Sequence, residues 1–279
     1  MLRTPDATRY VQPLREGGSL PALVATTGGD FVVKFRGAGQ GAKALVAEVI
    51  VGEIARHLGL PVPEVAVVAL DSAFGRAEPD PEIQDILRAS HGPNVGLGFI
   101  DGAFGYDPVA HADLVDPDLA ADVVWLDALV TNIDRTARNT NLLVAPSDDG
   151  PRLWLIDHGA ALYAHHDWAG LTPERMRTPF APIRDHVLLP VASSIEAADA
   201  RLGDRLDRAT LHAVLDAVPD ALLTDVPEGR DPDFETAEAA RDAYLGYLTT
   251  RLTRPRAWVE EAERARTAAP DTSPLPYRR

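Results

Sequence analysis

The sequence predicts an α+β protein: a small β-rich half carrying one helix, then a larger helical half that contains one β-hairpin. Three observations predict it. The first hundred residues are mainly short β-type runs divided by glycine turns. One apolar helical run, about 44–58, interrupts them and stops at Gly59 with Pro61 beyond. After residue 116 the apolar spacing turns helical, except for two strands around Pro146 to Gly150. The 279 residues are enough for one large domain or two small ones with real cores, and no internal repeat is found.

In chain order, 10–14, 20–26 and 31–36 read as strands. Gly17-Gly18 and Gly28-Gly29-Asp30 supply the turns between them. The helix at 44–58 follows. Strands are expected at 65–70 and about 94–100, on either side of an acidic, proline-containing excursion at 77–93. Asp116-Pro117 opens a helix through about Thr131, with Val123, Val124, Leu126, Leu129 and Val130 as its apolar residues. Strands at 140–145 and 152–156 form the hairpin. Helical stretches are expected at about 193–218 and 235–266. The division expected is 1–104, 105–266 and a loose tail from 267 to 279.

Composition removes several function classes. Asp and Glu number 42 against 27 Lys and Arg, a net charge of −15, so the chain repels phosphate backbones and no nucleic-acid partner is expected. Cysteine is absent, which excludes disulfides, thiolate metal sites and a cysteine nucleophile. No apolar run approaches a membrane span, and the first ten residues lack an apolar signal core, so a soluble cytoplasmic protein is expected. Lys34 and Lys43 are the only lysines among the basic residues.

The hairpin carries the first chemical signal. With its turn centred near Asp148, residues whose numbers total about 296 face one another, which sets Asn139 opposite Asp157. Asp134 lies at the exit of the preceding helix. Leu142, Leu143 and Val144 and their partners Trp154, Leu155 and Ile156 are apolar on both faces, so the hairpin is expected to be buried with its open end at a cleft. Two carboxylates and an amide are hard oxygen donors suited to Mg2+. Asp-x4-Asn followed by Asp-x-Gly (Asp157 with Gly159) is phosphotransferase spacing. The bland alternative makes these residues helix caps and turn formers. That alternative holds for Asp148-Asp149-Gly150.

The β-rich half adds Lys34. Phe31, Val33 and Phe35 share one strand face and Val32, Lys34 and Arg36 the other, so Lys34 has apolar neighbours. A buried ammonium needs a partner, and Glu48 is the candidate, on the side of the 44–58 helix with Val51, Gly52 and Ala55. Glu53 reads as a solvent-side charge near Arg56. An edge-strand lysine with its head in water is the alternative. Gly17, Gly18 and Ser19 are either a hairpin turn or a place where backbone amides approach phosphates. Gly37, Gly39 and Gly41, with Ala42, fit the loose dinucleotide pattern but follow hairpins rather than a βαβ unit. His165 and His166 read as surface residues.

The segments 58–64 (LGLPVPE), 131–144 (TNIDRTARNTNLLV) and 154–162 (WLIDHGAAL) resemble the HipA-like kinases over roughly residues 15–165. The resemblance implies a two-lobed, protein-kinase-like fold and transfer of the γ-phosphoryl of ATP to a hydroxyl, with Mg2+. It implies Lys34 as the phosphate-contacting lysine, Glu48 as its ion-pair partner, Asp134 as catalytic base, and Asn139 and Asp157 as metal ligands. The acceptor, a protein or a small molecule, stays open, and a non-catalytic nucleotide-binding module is the alternative of another class. Thr136 stands where related loops often carry His.

Overall fold

The computed structural model describes residues 2–14, 20–39, 41–76, 78–148, 150–226 and 229–270. Five strands, β1 (Ala7–Pro13), β2 (Ala22–Thr26), β3 (Gly29–Lys34), β4 (Val65–Leu70) and β5 (Gly92–Gly98), form an antiparallel sheet of order β1-β2-β3-β5-β4. Gly29, at φ +115°, turns β2 into β3. Before β1, Arg3 and Asp6 make parallel bridges to Ala66 and Ala69 on β4, so the two edges of the curled sheet meet. With its named strands all antiparallel, the sheet has no βαβ unit to support a dinucleotide site at Gly37 to Ala42.

Helix α1 (Gly41–Leu58) crosses beneath this sheet. It is apolar nearly all round, so it is buried nearly all round. Gly52 explains how closely it lies: a Cβ there would stand 2.7 Å from Val65 Cγ2 on β4. The 77–93 excursion, for which the sequence predicts no element, contains a helix, α2 (Pro81–Ala89). Asp80 caps it by accepting from Glu82 N at 3.0 Å, with Pro81 in its first turn. Helix α3 (Pro117–Leu129) starts the same way, Asp116 accepting from Asp118 and Leu119 amides at 2.9 Å.

A second sheet, β6 (Phe104–Gly105), β7 (Leu142–Ala145) and β8 (Arg152–Leu155), holds the expected hairpin. Its register is one residue off the expectation. Leu142 faces Leu155 and Leu143 faces Trp154, because Ser147 and Gly150 close the turn with reciprocal backbone bonds. One face is fully buried through Leu142, Val144, Leu153 and Leu155; Leu143 and Trp154 on the other are only half-buried.

The remainder is helical: α4 (Pro173–Met176), α5 (Ile195–Leu202), α6 (Arg208–Asp216), α7 (Asp220–Leu223), α8 (Ala237–Leu252) and α9 (Ala257–Ala268). The expected 235–266 stretch breaks at 253–256 around Pro255, and its last helix runs to Ala268, past the expected start of the tail. A large core joins α1, α3, the hairpin and helices α5 to α9. A smaller one fills the other side of the first sheet, with Phe31, Val33 and Phe35 packed against Leu87 of α2. Among the described residues no helix is long and apolar enough to cross a membrane.

Candidate active site

Strand β3 and the residue after it present Phe31, Val33 and Phe35 to the smaller core, and β3 turns Lys34 the opposite way, toward α1. Lys34 is buried, and its ammonium lies between two carboxylates. It donates to Glu48 Oε1 and, at 2.6 Å, to Asp157 Oδ1. Burial alone would lower the lysine; the charges of Glu48 and Asp157 outweigh it and hold Lys34 above its ordinary value. Burial also works against ionised Asp157, but the ammonium wins and holds that carboxyl below the usual range. Glu48 is fully buried, and desolvation pushes it up despite Lys34. One ammonium cannot neutralise two carboxylates, and Glu48 Oε2 has no hydrogen-bond partner among the described residues.

Asp157 sits in left-handed backbone, φ +53°, immediately beyond β8. Its Oδ1 also accepts from Gly159 N at 3.4 Å, while Oδ2 accepts no hydrogen bond from a described residue. Asp134 follows α3 across a short loop. Its Oδ2 accepts from Asn139 Nδ2 at 2.7 Å and from Asn141 Nδ2 at 3.2 Å. Lys34, Glu48 and Asp157 therefore form one bonded group, and Asp134, Asn139 and Asn141 a second. No hydrogen bond joins the two groups directly. They meet through the backbone, where Ile156 N donates to Asn141 O at 3.1 Å.

Asn141 was missed by sequence reasoning, and the register explains why. In the observed register Asn141 lies across from Ile156, the residue before Asp157, where the expected register placed Thr140. The signal was the pair Asn139-x-Asn141 itself. Gly17, Gly18 and Ser19 lie outside the described residues. Two further expectations are corrected. Glu53 is buried, not solvent-side, because Arg56 folds over it with bonds of 2.6 and 2.8 Å. His165 is buried, its Nδ1 in contact with Tyr244 Oη at 3.0 Å; His166 is the exposed member of the pair.

The donor set around Asp157 and the two asparagines is carboxylate and amide oxygen. Such hard donors fit Mg2+, which takes one or two carboxylates and completes its shell with water and phosphate. Among the described residues no cluster of three or more His, Asp or Glu side chains forms a protein-only metal cage.

Residues 10–226 match the family model described as HipA-like kinase. The chain belongs to the HipA-like kinases. It is thus a kinase by family, a phosphotransferase in reaction class. The crystal structure of a Helicobacter pylori proinflammatory kinase, CtkA, is similar in fold: TM-score 0.55 at 13% identity, over 95% of this chain and 98% of that one. That likeness supports a kinase-like arrangement of sheet and helices for this HipA-like chain. The comparison with curated proteins gave no match.

Proposed function

We propose that this HipA-like kinase transfers the γ-phosphoryl group of ATP, with Mg2+, to a hydroxyl acceptor on protein serine or threonine. The observation that carries the reading is the Lys34 ammonium fixed between Glu48 on α1 and Asp157 at the end of the hairpin. A lysine held this way presents its charge to nucleotide phosphates without side-chain reorganisation. Residues 1–104 act as the nucleotide-binding lobe and 105–266 as the catalytic lobe. Gly17, Gly18 and Ser19 take the phosphate-loop role by position in the sequence.

Asp134 is the base. Its Oδ2 is held by Asn139 and Asn141, and its Oδ1, with no hydrogen bond from a described residue, accepts the acceptor's hydroxyl proton. Asn139 and Asp157 hold Mg2+; with Asn139 Nδ2 turned to Asp134, its amide oxygen is left for the metal. Bound there, the ion neutralises charge on the transferring phosphoryl oxygens. Lys34 orients the phosphates, and the burial of Glu48 keeps the ammonium from swinging away. A cytoplasmic location goes with a kinase that draws on ATP.

The test compares wild type with Asp157→Asn and Asp134→Asn, using γ-labelled ATP, Mg2+ and a panel of protein and small-molecule hydroxyl acceptors. Asp134→Asn is expected to lower kcat by about 10²–10⁴-fold with ATP affinity kept. Asp157→Asn is expected to lose the Mg2+ dependence of ATP binding. Wild-type ATP binding without transfer to any acceptor refutes the catalytic reading and leaves a nucleotide-binding module.

A further inference from the structure

Behind the two bonded groups lies a buried polar cluster that none of the roles above uses. Its centre is Asp127, on the last turn of α3, with no exposed surface. Asp127 Oδ2 accepts from Arg135 Nε at 2.5 Å and from His186 Nε2 at 2.9 Å, and its Oδ1 accepts from Asn132 Nδ2 at 3.0 Å. His186 Nδ1 accepts from Leu188 N, so the imidazole's proton is on Nε2, facing the carboxylate. A carboxylate with three side-chain donors has a fixed orientation, and so do its donors.

Each of those donors reaches onward. Asn132 accepts from Asp134 N through its Oδ1 at 3.1 Å, fixing the backbone from which the Asp134 carboxylate projects. Arg135 is 1% exposed. Its Nη1 donates to Asn141 O and, at 3.2 Å, to Ile156 O; its Nη2 is 3.3 Å from His158 Nδ1. Asn141 bonds Asp134, while Ile156 and His158 flank Asp157 on both sides. One guanidinium therefore holds the loop of the base and the chain on either side of Asp157, and one carboxylate holds that guanidinium.

Resting on the function proposed above, we infer that Asp127 is a positioning residue which, through Arg135 and Asn132, sets the separation of Asp134 from Asp157. It touches neither nucleotide nor acceptor. Its effect is on the alignment of hydroxyl, phosphoryl group and base, where a displacement of ~1 Å costs on the order of 100-fold in rate. Nucleotide grip comes from Lys34 on β3, which the cluster does not contact, so ground-state binding of ATP is spared. Arg135→Lys keeps a buried cation but offers no planar fork to reach Asn141, Ile156 and His158 together.

The experiment uses the full chain as wild type, Asp127→Asn, Arg135→Lys and Asn132→Ala. Two quantities are read: kcat and KM for ATP with Mg2+, and amide hydrogen exchange across 132–141 and 156–159. Arg135→Lys and Asp127→Asn are expected to lower kcat by about 10–100-fold with KM for ATP within about threefold, and to speed exchange in both segments at once. Asn132→Ala is expected to lower kcat less and to speed exchange mainly at Asp134. Should Asp127→Asn fail to fold for want of a counter-charge, Arg135→Lys and Asn132→Ala retain the charges and decide the matter. In Arg135→Lys, unchanged kcat, kcat and KM shifting together, or exchange altered in one segment alone overturns the inference. A wild type without transfer refutes the function instead, and the exchange readout still judges the coupling.

Discussion

Replacing Lys34 by Met tests the ion group that organises the cleft. Met matches the stem of the lysine in length and removes only the ammonium. Glu48, without exposed surface, and Asp157, about two-thirds buried, are then left facing each other with no counter-charge. Breaking a buried pair by deleting one partner costs about 3–5 kcal/mol, since the orphaned charge stays out of water. Adding Glu48→Gln removes the deeper of the two orphans. It is the one that burial already pushes toward its neutral form, so most of that loss is expected to return in the double variant. Phosphotransfer is expected to return in neither, because the phosphates lose their cation in both. Urea unfolding of the two single variants, the double variant and wild type gives the coupling energy, with ATP turnover measured on the same samples. Lys34→Met as stable as wild type would show that the ammonium is not compensating buried charge. A double variant that regains turnover would show that Glu48 and Lys34 matter to folding alone.

Two further outcomes follow from burial. His158 and His165 are both held down to about 3, first by burial, then by Arg135 for His158 and by His166 and Lys43 for His165. Folded values below the unfolded 6.5 mean that the unfolded chain takes up protons first as pH falls, so stability present above pH 6.5 is lost between 6.5 and 3. At about 1.4 kcal/mol per pH unit for each group, the two remove roughly 4 kcal/mol between pH 6.5 and 5, and equal urea stability at pH 7 and 5 would refute the burial of both rings. Gly52→Ala puts a methyl 2.7 Å from the stiff Val65 side chain and is expected to destabilise by about 1–2 kcal/mol after its helix-propensity gain, whereas Gly246→Ala, with open space at its Cβ, is expected to gain up to about 1 kcal/mol; thermal melts that rank them the other way would refute the close packing of α1 on β4.

Local signals carried much of this fold. Gly59 and Pro61 ended α1, Asp116-Pro117 began α3, and alternation through Phe31, Val33 and Phe35 gave Lys34 its direction. The same signal as at Asp116-Pro117 stood at Asp80-Pro81 and went unread, because the acidic residues around it mask an apolar side made only of Ile83, Ile86 and Leu87. Pro255 likewise marked the break between α8 and α9. Glu48 was legible as a partner for Lys34 through the small residues beside it, since Gly52 lets the helix approach the sheet. Asn141 was not legible, because a one-residue uncertainty in a tight turn decides whether Asn141 or Thr140 lies across from the residue before Asp157. Nor was the burial of His165, which depends on Tyr244 arriving from α8, while for Glu53 the nearby Arg56 was legible but its folding back over the carboxylate was not.

The strain at the cleft explains why a buried cluster stands behind it. Asn141 and Asp157 both adopt left-handed backbone, at φ +49° and +53°, a conformation that costs a non-glycine residue roughly 1–2 kcal/mol. Left free, either residue would relax and swing its side chain away from its group. The carbonyl of strained Asn141 and that of Ile156, just before strained Asp157, are the two that Arg135 Nη1 grips. These bonds lie inside the protein, where a hydrogen bond to a charged donor is worth about 1.5–3 kcal/mol, enough to outweigh the strain. Arg135 stays there only because Asp127 neutralises it. The unfavourable backbone and the buried ion pair are therefore two sides of one balance. Removing the charge should release both turns together, whereas replacing Asn141 by Gly should ease one turn and leave Arg135 in place.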